Sequence, residues 1–170
     1  TEARAHLSEV ADVTQFDYDY AELQCDDLAE IAAHGAREAF EAAPGTDPVF
    51  VDDTGFYIRG LRGFPGPYAA YVEHTLGVDR VWEVAADLDD RHAAFTCAIG
   101  YADETGVETF EASLEGTLVP PRGSGGFGYD PIFEYEGSTL AERSTEEKNV
   151  ISHRARALTK LADWLESQED

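Results

Sequence analysis

Positive charge is what this sequence has least of. Twelve lysines and arginines stand against 35 aspartates and glutamates, a net charge of −23 over 170 residues, and the only lysines are Lys148 and Lys160. Such a chain has no basic face with which to release counterions from DNA or RNA, so no nucleic-acid polymer is expected as a partner. Cysteine is almost as scarce. Cys25 and Cys97 cannot build a disulfide framework, and Cys97 lies in the apolar stretch 93–99, where a buried free thiol is the natural reading. Long apolar runs are missing, and no signal-peptide pattern opens the chain, which points to a cytoplasmic protein with no membrane association. No repeat, linker or low-complexity tract interrupts it. With 170 residues and 43% hydrophobic content, one domain over residues 1–170 is expected, large enough for a core without staples.

The acid excess does not make a disordered tail, because 11% of the residues are aromatic and the apolar positions are periodic. A solvated acidic surface suits concentrated salt, where the Debye length shrinks to about 3 Å at 1 M and self-repulsion is screened. A halophilic source is the expectation. Periodicity predicts helices over 1–10 and 26–43, the second with Leu28, Ile31, Gly35 and Ala39 on one side, and a short strand over 13–16. The apolar run 48–51 predicts a buried strand that ends in Asp52-Asp53-Thr54-Gly55. Helices follow over 68–76 and from Asp79, with Val81, Val84, Ala85 and Leu88 inward, and strands over 93–101 and 108–114 form a hairpin. Phe64, Tyr68 and Tyr71 are expected in the core or at a dimer contact.

Two stretches carry chemistry. In Gly123-Ser124-Gly125-Gly126-Phe127-Gly128-Tyr129-Asp130-Pro131, four glycines free the backbone for positive φ and close approach to a ligand, with two aromatics and a carboxylate between them. The alternative for this run alone is an ordinary glycine turn. Further on, Glu147-Lys148-Asn149-Val150-Ile151-Ser152-His153-Arg154 opens the last helix, with Ser152 as N-cap and Ala155, Leu158, Ala162 and Leu165 as the buried stripe. His153 and Arg154 then occupy a first turn whose dipole opposes cations by about 0.3–1 kcal/mol each, unless a ligand compensates. Asp52 and Asp53, at a strand end, face the crevice where open α/β sheets hold ligands. Strand alternation lets only one of them look into a given site.

These pieces, in this order, resemble the inosine/xanthosine triphosphate pyrophosphatases. The match is carried by Asp52-Asp53-Thr54-Gly55, Pro65-Gly66-Pro67-Tyr68, Gly125 to Phe133, Ala141-Glu142, Glu147-Lys148-Asn149 and Ser152-His153-Arg154. The resemblance implies a mixed α/β (α+β) fold, an elongated mixed β-sheet flanked by helices with a central substrate cleft. It implies cleavage of ITP, dITP and XTP to the monophosphate and pyrophosphate, with Mg²⁺ as cofactor and a homodimer as the assembly. Carried over residue by residue, Asp53 becomes general base and metal ligand and Glu22 a second metal ligand. Arg37 and Lys148 would meet phosphate oxygens, Arg37 standing where the family has a lysine, and Thr54 is a substrate-binding position. Phe127 and Tyr129 would stack on or border the purine, Asp130, His153 and Arg154 would read its edge, and Gly128 and Ser152 are further substrate-binding positions. Residue by residue, Glu22 reads equally as a solvated carboxylate, and the lesser alternative for Asp53 is a turn-forming or helix-capping aspartate. The family opens with a strand and a Thr-Asn…Lys phosphate loop, and Thr1 to Leu7 resembles the helix that follows them. Another metal-dependent nucleotide pyrophosphatase, such as the septum-inhibitor-like enzymes, and a nucleotide-binding module without turnover are the other expectations the same residues allow.

Overall fold

The computed structural model describes residues 2–18 and 23–168. In chain order it contains α1 (Glu2–Leu7), α2 (Leu28–Ala42), β1 (Val49–Ile58), β2 (Pro65–Gly66), α3 (Ala69–Thr75) and α4 (Val78–Ala85). A long pair, β3 (His92–Asp103) and β4 (Gly106–Leu118), is followed by β5 (Phe133–Tyr135), β6 (Ser138–Thr139), α5 (Thr145–Ile151) and α6 (His153–Gln168). The strands form one six-stranded sheet in the order β2-β1-β3-β4-β5-β6. β1 and β2 pair antiparallel with Phe56 opposite Gly66, β4 and β5 with Thr117 opposite Glu134, and β5 and β6 with Glu134 opposite Thr139. The mixed α/β class expected from the sequence is what the chain adopts. Among the described residues no helix is long and apolar enough to cross a membrane.

The chain divides into two compact units, each assembled from separate stretches. The first comprises Thr1–Asp53, Cys97–Ala112 and His153–Asp170. Its core joins Leu7 of α1, Cys97, Ile99 and Tyr101 of β3, Ala112 of β4, and Ala157, Leu158 and Leu161 of α6. Burial of each large aliphatic side chain contributes about 1.5–3 kcal/mol. Helix α2 starts where Asp27 Oδ1 accepts from the backbone N–H groups of Ala29 (2.9 Å) and Glu30 (3.2 Å), and it buries Leu28, Ile31, Ala32, Gly35, Ala36 and Ala39. It lies so close to β3 that a Cβ on Gly100 would stand 2.1 Å from the Ala32 carbonyl oxygen. Residues 13–16 are not a strand. Arg4 Nε donates to the Val13 carbonyl at 2.8 Å, a side-chain contact and not a ladder bond.

The second unit comprises Thr54–Thr96 and Ser113–Ser152. Its centre is aromatic: the Phe56 ring stacks on Tyr129 at 4.4 Å between centroids and packs on Phe95 at 4.7 Å, with Phe133 edge-on to both. Three expectations are corrected here and one is narrowed. β1 does not stop at Asp52 but continues to Ile58, because Phe56 and Ile58 alternate into this core and pair the strand onward, leaving Asp52 and Asp53 in mid-strand. Val84 is 60% exposed, since α4 buries only Val81 and Ala85 fully. Of the two places expected for Phe64, Tyr68 and Tyr71, the core is excluded, since all three are exposed, Tyr71 the most. A separate helix, α5, precedes α6: Ser144 caps it with a reciprocal capping box, its N–H donating to Glu147 Oε2 (2.8 Å) and its Oγ accepting from Glu147 N–H (3.2 Å). Ser152 is the one residue between the two helices.

Candidate active site

In the second unit the glycine-rich loop folds around one carboxylate. Gly126 has φ +74°, and a Cβ there would fall 2.2 Å from Asp130 Oδ2, so both the backbone angle and the space demand glycine. Asp130 is buried, and its Oδ2 accepts from the Phe127 backbone N–H (3.1 Å) and from Lys148 Nζ (2.8 Å). A buried carboxylate that lost the ammonium would be left uncompensated, which typically costs about 3–5 kcal/mol, so the pair is fixed more firmly than a surface bridge. The ammonium also sits 5.2 Å from the centroid of the Phe127 ring, and that ring is 80% exposed. The loop therefore presents an exposed aromatic ring with one cation over it.

Glu73, on α3, reaches the same loop: its Oε2 lies 3.4 Å from where a Cβ on Gly128 would stand. Nothing in the local sequence marks Glu73 as part of this site, because it joins through the packing of α3 rather than through a motif. Tyr129, expected to border the purine, is buried instead. Its hydroxyl donates to the Ala69 carbonyl (2.8 Å), and burial, with Glu73 nearby, pushes its pKa up. Of the two rings in the loop, only Phe127 is open to solvent. Thr54 also belongs to this unit, and its Oγ1 is buried with no hydrogen-bond partner among the described residues.

In the first unit the two neighbouring acids of β1 separate. Asp52 is exposed, and its Oδ2 lies 2.7 Å from Arg154 Nε in the first turn of α6. Asp53 is half-buried and its Oδ2 is shielded from solvent. His153 begins α6, and burial, reinforced by Arg154 and Arg156, lowers its pKa to about 4. At neutral pH its ring is uncharged, with one nitrogen donating and the other able to accept. Arg37 is exposed on α2. A cavity of about 1000 Å³ in this unit has Arg4, Val13, Phe16, Phe50 and Asp52 in its wall. The sequence singled out Arg154 without its partner, since Asp52 reads as a mere companion to Asp53 until β1 and α6 are in place.

Glu22 lies outside the described residues. Among those described, no three His, Cys, Asp or Glu side chains converge on a metal position. Mg²⁺ needs less than that, because one or two carboxylates suffice when water and phosphate oxygens complete its octahedron. Asp53 offers such a carboxylate, so the donor set fits a partly hydrated Mg²⁺ and does not fit a protein-caged ion.

The Ham1 family model matches residues 1–164. The chain is similar to the dITP/XTP pyrophosphatase of Methanopyrus kandleri, 46% identical over 157 residues that cover 90% of this chain and 82% of that one. It is also similar to the inosine triphosphate pyrophosphatase of Emericella nidulans, 40% identical over 166 residues, 96% and 89% of the two chains. Among solved structures, the Staphylococcus aureus Ham1 protein superposes with a TM-score of 0.81 at 29% identity, covering 89% of this chain and 82% of that one.

Proposed function

This chain belongs to the Ham1 family, and we propose that it hydrolyses the non-canonical purine nucleotides ITP, dITP and XTP to the monophosphate and pyrophosphate. The observation that carries the proposal is the glycine loop: an exposed Phe127 ring with Lys148 held over it by the buried Asp130, in a chain this similar to pyrophosphatases named for those substrates. The flat ring of a purine stacks on Phe127, and Lys148 supplies charge for the polyphosphate. Arg154 has only donors, so it satisfies the carbonyl at purine position 6 and opposes the amino group that adenine carries there. His153, neutral at pH 7, meets the same edge through a donor or an acceptor nitrogen.

Asp53 is the general base that takes the proton from the attacking water. Thr54, whose buried hydroxyl has a hydrogen bond to give, would contact the substrate, and the exposed Arg37 adds a further cation for the polyphosphate. Ser152, between α5 and α6, lies beside the edge-reading pair. Asp53 would hold Mg²⁺ with Glu22 as second carboxylate, and the ion when bound supplies charge neutralisation on the phosphate oxygens. Asp130 acts on substrate through Lys148, since its own Oδ2 is already engaged. The exposed Phe64, Tyr68 and Tyr71 support a homodimer, and the net charge of −23 supports a cytoplasm of high salt as the working environment.

Incubating the protein with ITP, XTP, GTP and ATP in the presence of Mg²⁺, and assaying pyrophosphate and orthophosphate separately, tests the reaction. Pyrophosphate released from ITP and XTP well ahead of ATP is the expected result. Orthophosphate as the product, or equal rates for all four, overturns it.

A further inference from the structure

Asp52 and Asp53 follow one another on β1, and successive side chains of a strand point to opposite faces, so they cannot serve one task from one side. The structure gives Asp52 to Arg154: carboxylate Oδ2 and guanidinium Nε are 2.7 Å apart, linking the middle of β1 to the first turn of α6. Stability does not explain this pair. The two side chains are 34% and 44% exposed, and ion pairs so open to water contribute about 0–1 kcal/mol. The first turn of a helix also disfavours a cation by a few tenths to about 1 kcal/mol, so a cation placed there gains from a fixed counter-charge. What the contact does provide is direction. A guanidinium is a rigid planar fork of five N–H donors, and a carboxylate on Nε–H sets the plane in which the terminal amino groups aim.

We infer that Asp52 is a positioning residue for substrate choice: it holds Arg154 in the orientation from which the guanidinium meets the acceptor at position 6 of the purine. The inference rests on the reading of Arg154 proposed above. Asp52 itself touches no substrate and takes no proton. Its part in selectivity is to keep a long, flexible side chain from sampling orientations in which it would contact any triphosphate alike. A discriminating bond needs such preorganisation, because the penalty against adenine exists only if the donor cannot turn away from the 6-amino group.

The test measures kcat and KM separately for ITP and ATP, with Mg²⁺, in the full chain carrying Asp52→Asn, Asp52→Glu, Arg154→Ala or Asp52→Asn with Arg154→Ala. The ratio of kcat/KM between two substrates does not depend on how much of a sample is folded, so loss of folded protein cannot imitate the effect. Asp52→Asn is expected to lower the ITP-to-ATP ratio about tenfold, the loss appearing mainly in KM for ITP, with Asp52→Glu recovering part of it. The double variant should show the same ratio as Arg154→Ala alone, since both changes remove one interaction. A fall in kcat by the same factor for both substrates would assign Asp52 to the chemistry or to folding and overturn the inference. If Arg154→Ala collapses the ratio while Asp52→Asn leaves it intact, only the inference about Asp52 is lost. If Arg154→Ala leaves the ratio unchanged, the base-reading role of Arg154 and the inference fall together.

Discussion

Asp53 and His153 show how far a single residue's surroundings set its chemistry. Asp53 keeps one carboxylate oxygen shielded from solvent while its neighbour Asp52 is exposed and ion-paired, and only the shielded one is suited to hold a reactive proton apart from bulk water. Asp53→Asn preserves the shape and removes the proposed base, so kcat for ITP should fall by about 10²–10⁴-fold while nucleotide affinity stays near the parent value. Turnover within a few-fold of the parent would take the role from Asp53. His153 makes a prediction about pH. Its pKa drops from 6.5 when unfolded to about 4 when folded, so above 6.5 it is neutral in both states and costs nothing. As pH falls from 6.5 to 4 the unfolded chain binds the proton first, and up to about 3 kcal/mol of stability is lost across that window. Urea unfolding at pH 7 and pH 4.5 should show a smaller loss for His153→Gln than for the parent. Equal losses would mean that the imidazole is not held neutral.

At the scale of elements, what matters is how closely they approach. Helix α2 reaches β3 through Gly100, where a Cβ would overlap the Ala32 carbonyl at 2.1 Å, and the obstacle is backbone that cannot rotate away as a side chain would. Gly100→Ala should therefore cost about 1–3 kcal/mol by overpacking and lower the melting midpoint by about 2–4 °C for each kcal/mol. A midpoint equal to the parent's would show that α2 moves off the strand without penalty. The α5–α6 junction follows a different logic. Ser144 and Glu147 satisfy the start of α5 by themselves, and this places Lys148 on the first turns of a short helix from which its ammonium reaches Asp130. The lysine is aimed by a cap four residues earlier.

For the whole molecule the dominant quantity is charge. At −23, repulsion among surface carboxylates opposes the compact state and repels an anionic nucleotide, and both effects reach through solvent. The short ion pair of Lys148 with Asp130 is buried and only weakly screened. Raising KCl from 0.1 M towards the molar range should therefore raise the melting midpoint and lower KM for ITP up to the point where local cation–phosphate contacts are screened in turn. A midpoint that falls steadily with KCl would contradict adaptation to high salt.

The sequence by itself determined the helices α2 and α6, the β3–β4 hairpin, the buried thiol of Cys97 and the glycine loop with its aromatic, because periodicity, turn residues and glycine spacing act over a few neighbours. It also determined that Lys148, His153 and Arg154 stand out, since cations are rare here and sit oddly at a helix start. Its reading failed where a decision depended on residues far along the chain. β1 runs past Asp52 because Phe56 finds Tyr129 and Phe95 to pack on, and no local signal announces partners 73 and 39 residues away. Tyr129 and Phe127 look equivalent in the sequence. Tertiary packing alone decided that the first is buried beneath the loop and the second bare above it, that Asp130 is spent on Lys148, and that Asp52 faces Arg154. The reason is physical: local propensity specifies which conformation a segment prefers, whereas the partner of a buried ring or a carboxylate is chosen by whatever the fold brings within a few ångströms of it.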